Sequence, residues 1–264
     1  MRQATAELFQ SLAIQQRVVF ALFMRETITR YGRHNIGFLW IFVEPMIFTL
    51  GITFLWTALK SVHGSELPIT PFALTGYSAV LLWRNMPART IGAIPPNLSL
   101  MYHRNVRVMD IYIARLLLEA VGATISFVLL GVLFIFLGMM DPPEDILQVV
   151  AGWALLALNG IALALMIGTL SERSEIVDKV WHPLAYLIFP LSGAAFIVEA
   201  LPPEAQGPVL YIPMVHGLEY LREGFFGSKF HPIYDLNYMI LTIIGMLLIG
   251  LILMRFVART VIPE

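Results

Sequence analysis

Long apolar runs, broken by short polar stretches, fill the chain from Ile36 onward. The first covers Ile36 to Leu59, and the second starts near Ile69 and weakens after Trp83. Four more follow, at about Ile111 to Met139, Ile146 to Leu170, Val180 to Val198 and Leu236 to Val257. A helix needs roughly 20 apolar residues, at about 1.5 Å each, to cross a bilayer. The pattern therefore predicts an all-α integral membrane protein with six transmembrane helices. The interruptions are turn signals: Pro95-Pro96 closes the second run, and Asp141-Pro142-Pro143-Glu144-Asp145 makes a tight acidic turn.

Two regions carry helical periodicity without spanning length. Near the start, Leu8, Leu12, Val19 and Leu22 or Phe23 recur at helical spacing, with Arg17, Arg25, Glu26, Arg30 and Arg33 among them. This predicts an amphipathic helix on the membrane surface over about 5–34; a plain charged arm is the alternative. Between the fifth and sixth runs, Pro203 and Pro213 each open a short helix. Met214, Leu218, Leu221 and Phe225 share one face of the second, while His216, Glu219 or Tyr220, and Glu223 fall elsewhere. Such short elements fit a re-entrant pair, tolerated only where protein or a watery cavity surrounds them.

Composition agrees. The chain is 58% hydrophobic and 13% charged, against about a quarter charged in soluble domains. A net charge of −1 argues against nucleic acid, and the lack of cysteine excludes disulfide frameworks and thiolate metal sites. The short apolar run Val18 to Met24 is followed by Arg25, so no cleavable signal is expected. With both termini inside, the basic residues from Arg2 to Arg259 fall on inner segments, except Lys60, Arg222 and Lys229. The positive-inside rule then places both ends in the cytoplasm. The first three spans show no repeat in the last three, which disfavours an inverted-repeat transporter.

Catalytic and nucleotide motifs are missing: there is no G-x-x-x-x-G-K-[ST] loop and no H-E-x-x-H. No catalytic residue, metal site or cofactor is expected in this chain. Glu44-Pro45 sits inside the first span, where a carboxylate is costly and a proline kinks the helix. It reads either as a hinge at the inner mouth of a pathway or as a structural partner for an arginine. Arg84 and Arg89 either snorkel to lipid phosphate or bind the phosphate of a lipid-linked substrate. Arg115 and Glu119, four apart, pair with each other or across helices. The aromatic residues Phe38, Trp40, Phe42, Phe48, Phe54 and Trp56 suit a path for sugars, or simple interface and core packing.

Gly152, Gly160, Ala164 and Gly168 form a small-residue stripe that reads as helix packing. His216 and Glu219 read as a structural pair. After Pro95-Pro96, Asn97 is a good N-cap for a short helix through Arg104. That helix docks a cytosolic partner or is an ordinary loop helix.

The stretch Arg25-Glu26-Thr27-Ile28-Thr29-Arg30-Tyr31-Gly32, with Gly37-Phe38-Leu39-Trp40 and Glu44-Pro45, resembles the polysaccharide-exporting branch of type 2 ABC exporters. Together with the layout it resembles the membrane subunit of capsule polysaccharide permeases of the KpsM type, over essentially the whole chain. The resemblance implies one transmembrane domain over 1–264. Residues 1–35 would form a cytosolic interface helix with Arg25, Glu26, Arg30 and Tyr31, and 36–257 the membrane domain. Residues 258–264 would be a cytosolic tail.

A coupling helix at about 97–106 would present Asn97, Leu98, Leu100, Met101, Tyr102, His103 and Arg104 to an ATPase. Gate helices at about 201–228 would close the periplasmic mouth through Pro203, Pro213, His216 and Tyr220. Phe38, Trp40, Glu44, Phe48, Arg84, Arg89, Tyr186 and Phe189 would line the substrate path. The implied assembly is a homodimer in the bacterial inner membrane, bound to two copies of an ATPase that holds ATP and Mg. A periplasmic adaptor and an outer-membrane export protein would continue the route. The expected cargo is a lipid-linked capsular polysaccharide; O-antigen or another glycolipid is the alternative within the class. An ion-coupled transporter using Glu44 and Glu119, or a membrane glycosyltransferase, is the alternative outside it.

Overall fold

The computed structural model describes residues 2–31, 35–59, 67–103 and 106–261, and those residues form helices and turns with no strand among them. In chain order the helices are α1 (Arg2–Tyr31), α2 (Asn35–Leu59), α3 (Ile69–Thr90), α4 (Leu98–His103) and α5 (Val108–Phe136). They continue with α6 (Ile146–Ser171), α7 (Glu175–Ile188), α8 (Pro203–Val209), α9 (Pro213–Phe226) and α10 (Leu236–Val261). The expected loop from Lys60 to Pro68 lies largely outside the described residues.

Among the described residues, four helices are long and apolar enough to cross a membrane: Leu39–Ala58 within α2, then α5, α6 and Leu236–Thr260 within α10. The other two expected spans differ for separate reasons. α3 has the length, but it is buried in protein almost continuously from Thr70 to Trp83, against α2, α5 and α6. A helix enclosed by other helices need not be apolar toward lipid. α7 begins at Glu175, inside the expected charged loop, and ends at Ile188, well before the expected Val198. Pro190 and Ser192-Gly193 break it, and Gly193 takes a positive φ of 82° that favours glycine. Its 14 residues rise only about 21 Å.

α6 is the axis of the bundle. It packs on α3, α10 and α9, with the small-residue stripe turned to α3 and α9. A Cβ on Gly152, Gly160 or Gly168 would press into Leu221, Met86 or Thr90 respectively. These contacts define two ends. At one, Glu172 just beyond α6 accepts from the Ile94 amide that leads into α4. At the other, the acidic turn before α6 pairs its Asp145 amide with the Gly224 carbonyl of α9.

α1 departs from the simple amphipathic picture. Leu22 is buried, but Glu26 and Arg30 also face the bundle, while Leu12, Phe20, Met24 and Ile28 stand exposed. The charges turn inward because carboxylates of α2 and α5 and a guanidinium of α5 meet them there.

Candidate functional site

At the α4 end, α1 is stitched by charge to α2 and α5, and through Glu119 of α5 to α3. Arg30 pairs with Glu44 of α2 at 3.0 Å and with Glu119 of α5. Glu119, nearly buried, also receives Arg89 Nε of α3 at 2.9 Å. Glu26 pairs with Arg115 of α5 at 3.2 Å, and Arg115 donates to the Arg89 carbonyl. Arg115 and Glu119 thus pair across helices rather than with each other, and Arg89 gives its Nε to Glu119 while its side chain stays partly exposed. Glu44 takes the paired role.

The short helix is held to the same network. Asn97 was expected to cap α4; instead its buried side chain donates to the Ala93 carbonyl and accepts from Arg25 of α1. Gln15 of α1 donates to Asp110 at the start of α5. Leu98 and Leu100 are half-buried, Met101 is buried and Tyr102 is exposed. Arg104 lies outside the described residues, as do the side chains of Tyr31, Phe38 and His103. A groove of about 450 Å³ runs between α1 and α4, lined by Ile14, Arg17, Val18, Leu22, Arg25 and Leu100. Just beyond α6, burial pushes the Glu172 carboxyl above its ordinary range, against the pull of backbone amides and Arg115.

Several expected path residues converge. A cavity of about 280 Å³ under Pro45 is lined by Arg30, Glu44, Phe48, Arg84, Asn85 and Glu119, among others. The Arg84 guanidinium lies 4.4 Å from the centre of the exposed Tyr186 ring on α7, linking α3 to α7. Above it, Tyr77 gathers Phe48 at 6.1 Å, Trp56 at 5.2 Å and Phe189 at 5.8 Å. Trp40 stands apart, half-exposed on α2. Sequence reasoning missed Tyr77 and Asn85. Their only signal was polarity inside a run otherwise read as a span.

The α8–α9 end is built differently. Pro203 and Pro213 open α8 and α9, where a missing amide costs nothing. Met214, Leu218, Leu221 and Phe225 are buried as expected, but His216, Glu219 and Arg222 are equally buried. Arg222 donates to the carbonyls of Gly193 and Phe196, both at 2.8 Å, and of Ala194 at 3.1 Å. Its guanidinium also lies 3.9 Å from the Phe72 ring centre. Glu219 accepts from the amides of Val198 and Ile233. His216 Nδ1 accepts from the Asp235 amide at 2.8 Å, and Nε2 donates to the Leu210 carbonyl at 2.7 Å. Its two partners therefore select one neutral tautomer. Tyr220 packs edge-on against Tyr234 at 5.4 Å. The Tyr234 hydroxyl donates to Glu223, and burial with that carboxylate pushes its pKa up to about 12.

This arrangement is a helical bundle tied by ion pairs at one end and by side-chain bonds to backbone at the other. Residues 17–226 match the family described as ABC-2 type transporter, and the chain belongs to that family. It is 41% identical over 255 residues to the capsule polysaccharide export inner-membrane protein BexB of Haemophilus influenzae, covering 97% of this chain and 96% of that one. It is 44% identical over 256 residues to the capsule polysaccharide export inner-membrane protein CtrC of Neisseria meningitidis serogroup B, covering 97% of each. The polysialic acid transport protein KpsM of Escherichia coli is 29% identical over 245 residues, covering 92% of this chain and 94% of that one.

Proposed function

We propose that this chain is the membrane permease of an ATP-driven exporter that moves a lipid-linked capsular polysaccharide outward across the bacterial inner membrane. The observation that carries the proposal is near-full-length identity of 41% and 44% to proteins named for capsule polysaccharide export. The geometry supports it. The α4 end holds a short helix and α1 in one unit, as a lever driven by a separate ATPase requires, through the Arg25–Asn97 bond.

In this reading α3 and α7 complete six spans with both termini in the cytoplasm. The chain works as a homodimer with two ATPase subunits, which hold ATP and Mg. The groove between α1 and α4 faces the ATPase. Arg84, Glu44, Phe48, Tyr186 and Phe189 border the path, and α8 with α9 gates its outer mouth. The permease catalyses no covalent step of its own.

The test is co-purification with the neighbouring ATPase and measurement of ATP hydrolysis and surface glycan. We expect a stable complex whose hydrolysis changes on Asn97→Ala. Absence of a complex, with surface glycan independent of the ATPase, would overturn the exporter reading.

A further inference from the structure

A groove of about 610 Å³ lies at the α8–α9 end, where the α8–α9 connection meets the start of α10. Its wall includes Leu210, Tyr211, His216, Tyr234, Asp235 and Tyr238. Tyr211 is 77% exposed. The polar hydrogens of its neighbours are already spent inside the protein. Tyr238 Oη donates to the Tyr211 carbonyl at 2.8 Å, Tyr234 Oη to Glu223 at 2.7 Å, and His216 Nε2 to the Leu210 carbonyl. What the groove offers is ring faces and the carboxylate of Asp235. The bonds that cap α10 from the Asn237 and Tyr238 amides both fall on Asp235 Oδ1.

Aromatic faces beside a carboxylate, with few donors to give, complement a donor-rich cation. A guanidinium stacks on tyrosine and forks onto a carboxylate. The surroundings add negative charge: Glu199, Glu204, Glu219 and Glu223 lie in the same part of the chain, against Lys229 and an Arg222 that is spent on three carbonyls. An acidic glycan or a lipid phosphate would be repelled by Asp235. The groove is separate from the cavity under Pro45, with which it shares no lining residue.

We propose that this groove docks an arginine-bearing segment of an extracytoplasmic protein partner. Tyrosine-walled pockets that take one arginine are common energetic centres of protein interfaces. The inference rests on the proposed function only for the direction in which this end faces.

The probe is the purified periplasmic domain of the adaptor encoded with the permease, titrated onto the full chain in nanodiscs with and without the ATPase. Two variants are compared with the natural chain. Asp235→Asn keeps a helix-capping side chain and removes the charge, and Tyr211→Ser removes the exposed ring. We expect each to weaken binding about tenfold, with an affinity that falls as salt rises, while thermal unfolding is unchanged. Affinity in both variants equal to that of the natural chain, or no binding to the natural chain, overturns the proposal. So does intact adaptor binding with lost binding of oligosaccharides released from the host's surface polysaccharide, which would make the groove a sugar site. Failure of the ATPase to join the complex is read separately and counts against the exporter reading alone.

Discussion

The two ends of this bundle use buried charge in opposite ways. At the α4 end, charged side chains mostly bind other charged side chains: Arg30 with Glu44 and Glu119, Arg89 with Glu119, Arg115 with Glu26, beside two bonds to backbone from Arg115 and Glu172. At the α9 end they bind backbone: Arg222 holds three carbonyls, Glu219 two amides, His216 one of each. An ion pair between two long side chains can exchange partners while each helix stays intact. A side chain locked onto backbone fixes the course of the chain itself. The first end is suited to rearrange and the second to move as one piece.

The largest effect expected from this contrast is at Arg222. Arg222→Met leaves three carbonyls without donors in a site closed to water. Removing one partner of a buried charged network costs about 3–5 kcal/mol. We expect loss of most folded protein in detergent, read by size-exclusion yield and thermal unfolding. Arg222→Lys should rescue little, since a point charge cannot span carbonyls set for a fork. Normal yield for Arg222→Met would remove the rigid-cap half of the comparison.

Glu119 comes next. It receives both Arg30 and Arg89. Glu119→Gln weakens two charge-assisted bonds, each worth about 1.5–3 kcal/mol. The expected result is a moderate fall in thermal stability together with a larger fall in ATP hydrolysis coupled to export. A double-mutant cycle with Arg89→Gln should show non-additivity, because the residues share a partner. Additive losses would mean that the α4 end is not a single network.

These pairings show where sequence reading stops. The spans of α2, α5, α6 and α10 were legible because lipid imposes a long apolar run on any helix that faces it. α3 was legible in place but not in character, since helices from three other parts of the chain replace lipid around it. α7 was misplaced because Glu175, Asp178 and Lys179 read as a loop, yet they form the exposed first turns of a helix. The site was legible as residue types: Glu44, Arg84, Arg30 and Asn97 were singled out by charge or by a neighbouring proline. Their partners were not, because Arg25 meets Asn97 across 72 positions and Arg30 meets Glu119 across 89. Nor did any pattern mark Arg222 as a backbone clamp, since its carbonyl partners carry no side-chain signature.

Asn97 separates coupling from stability. Asn97→Ala removes the bond from Arg25 and the local bond to Ala93, in a turn held also by backbone bonds. The stability cost should be about 1 kcal/mol, smaller than at Glu119. Export should nevertheless fall severalfold, because α1 and α4 would no longer move together. Equal losses in export and stability would reduce Asn97 to a packing residue.

The smallest stability effect is expected where Arg84 lies over Tyr186. The ring is 63% exposed, so an exposed cation–π contact of about 0.5–1 kcal/mol is the upper bound. Tyr186→Leu should leave thermal unfolding almost unchanged, yet it frees the Arg84 guanidinium at the edge of the cavity under Pro45. If the pair forms part of the path, the variant changes export without changing the assembly of the permease with its ATPase. Tyr186→Phe keeps the ring face and should behave as the natural chain. That contrast between Leu and Phe isolates the ring face from the hydroxyl. A loss of export in both variants would point to the hydroxyl instead, and would move the functional contact from the Arg84 stack to hydrogen bonding at the exposed edge of α7.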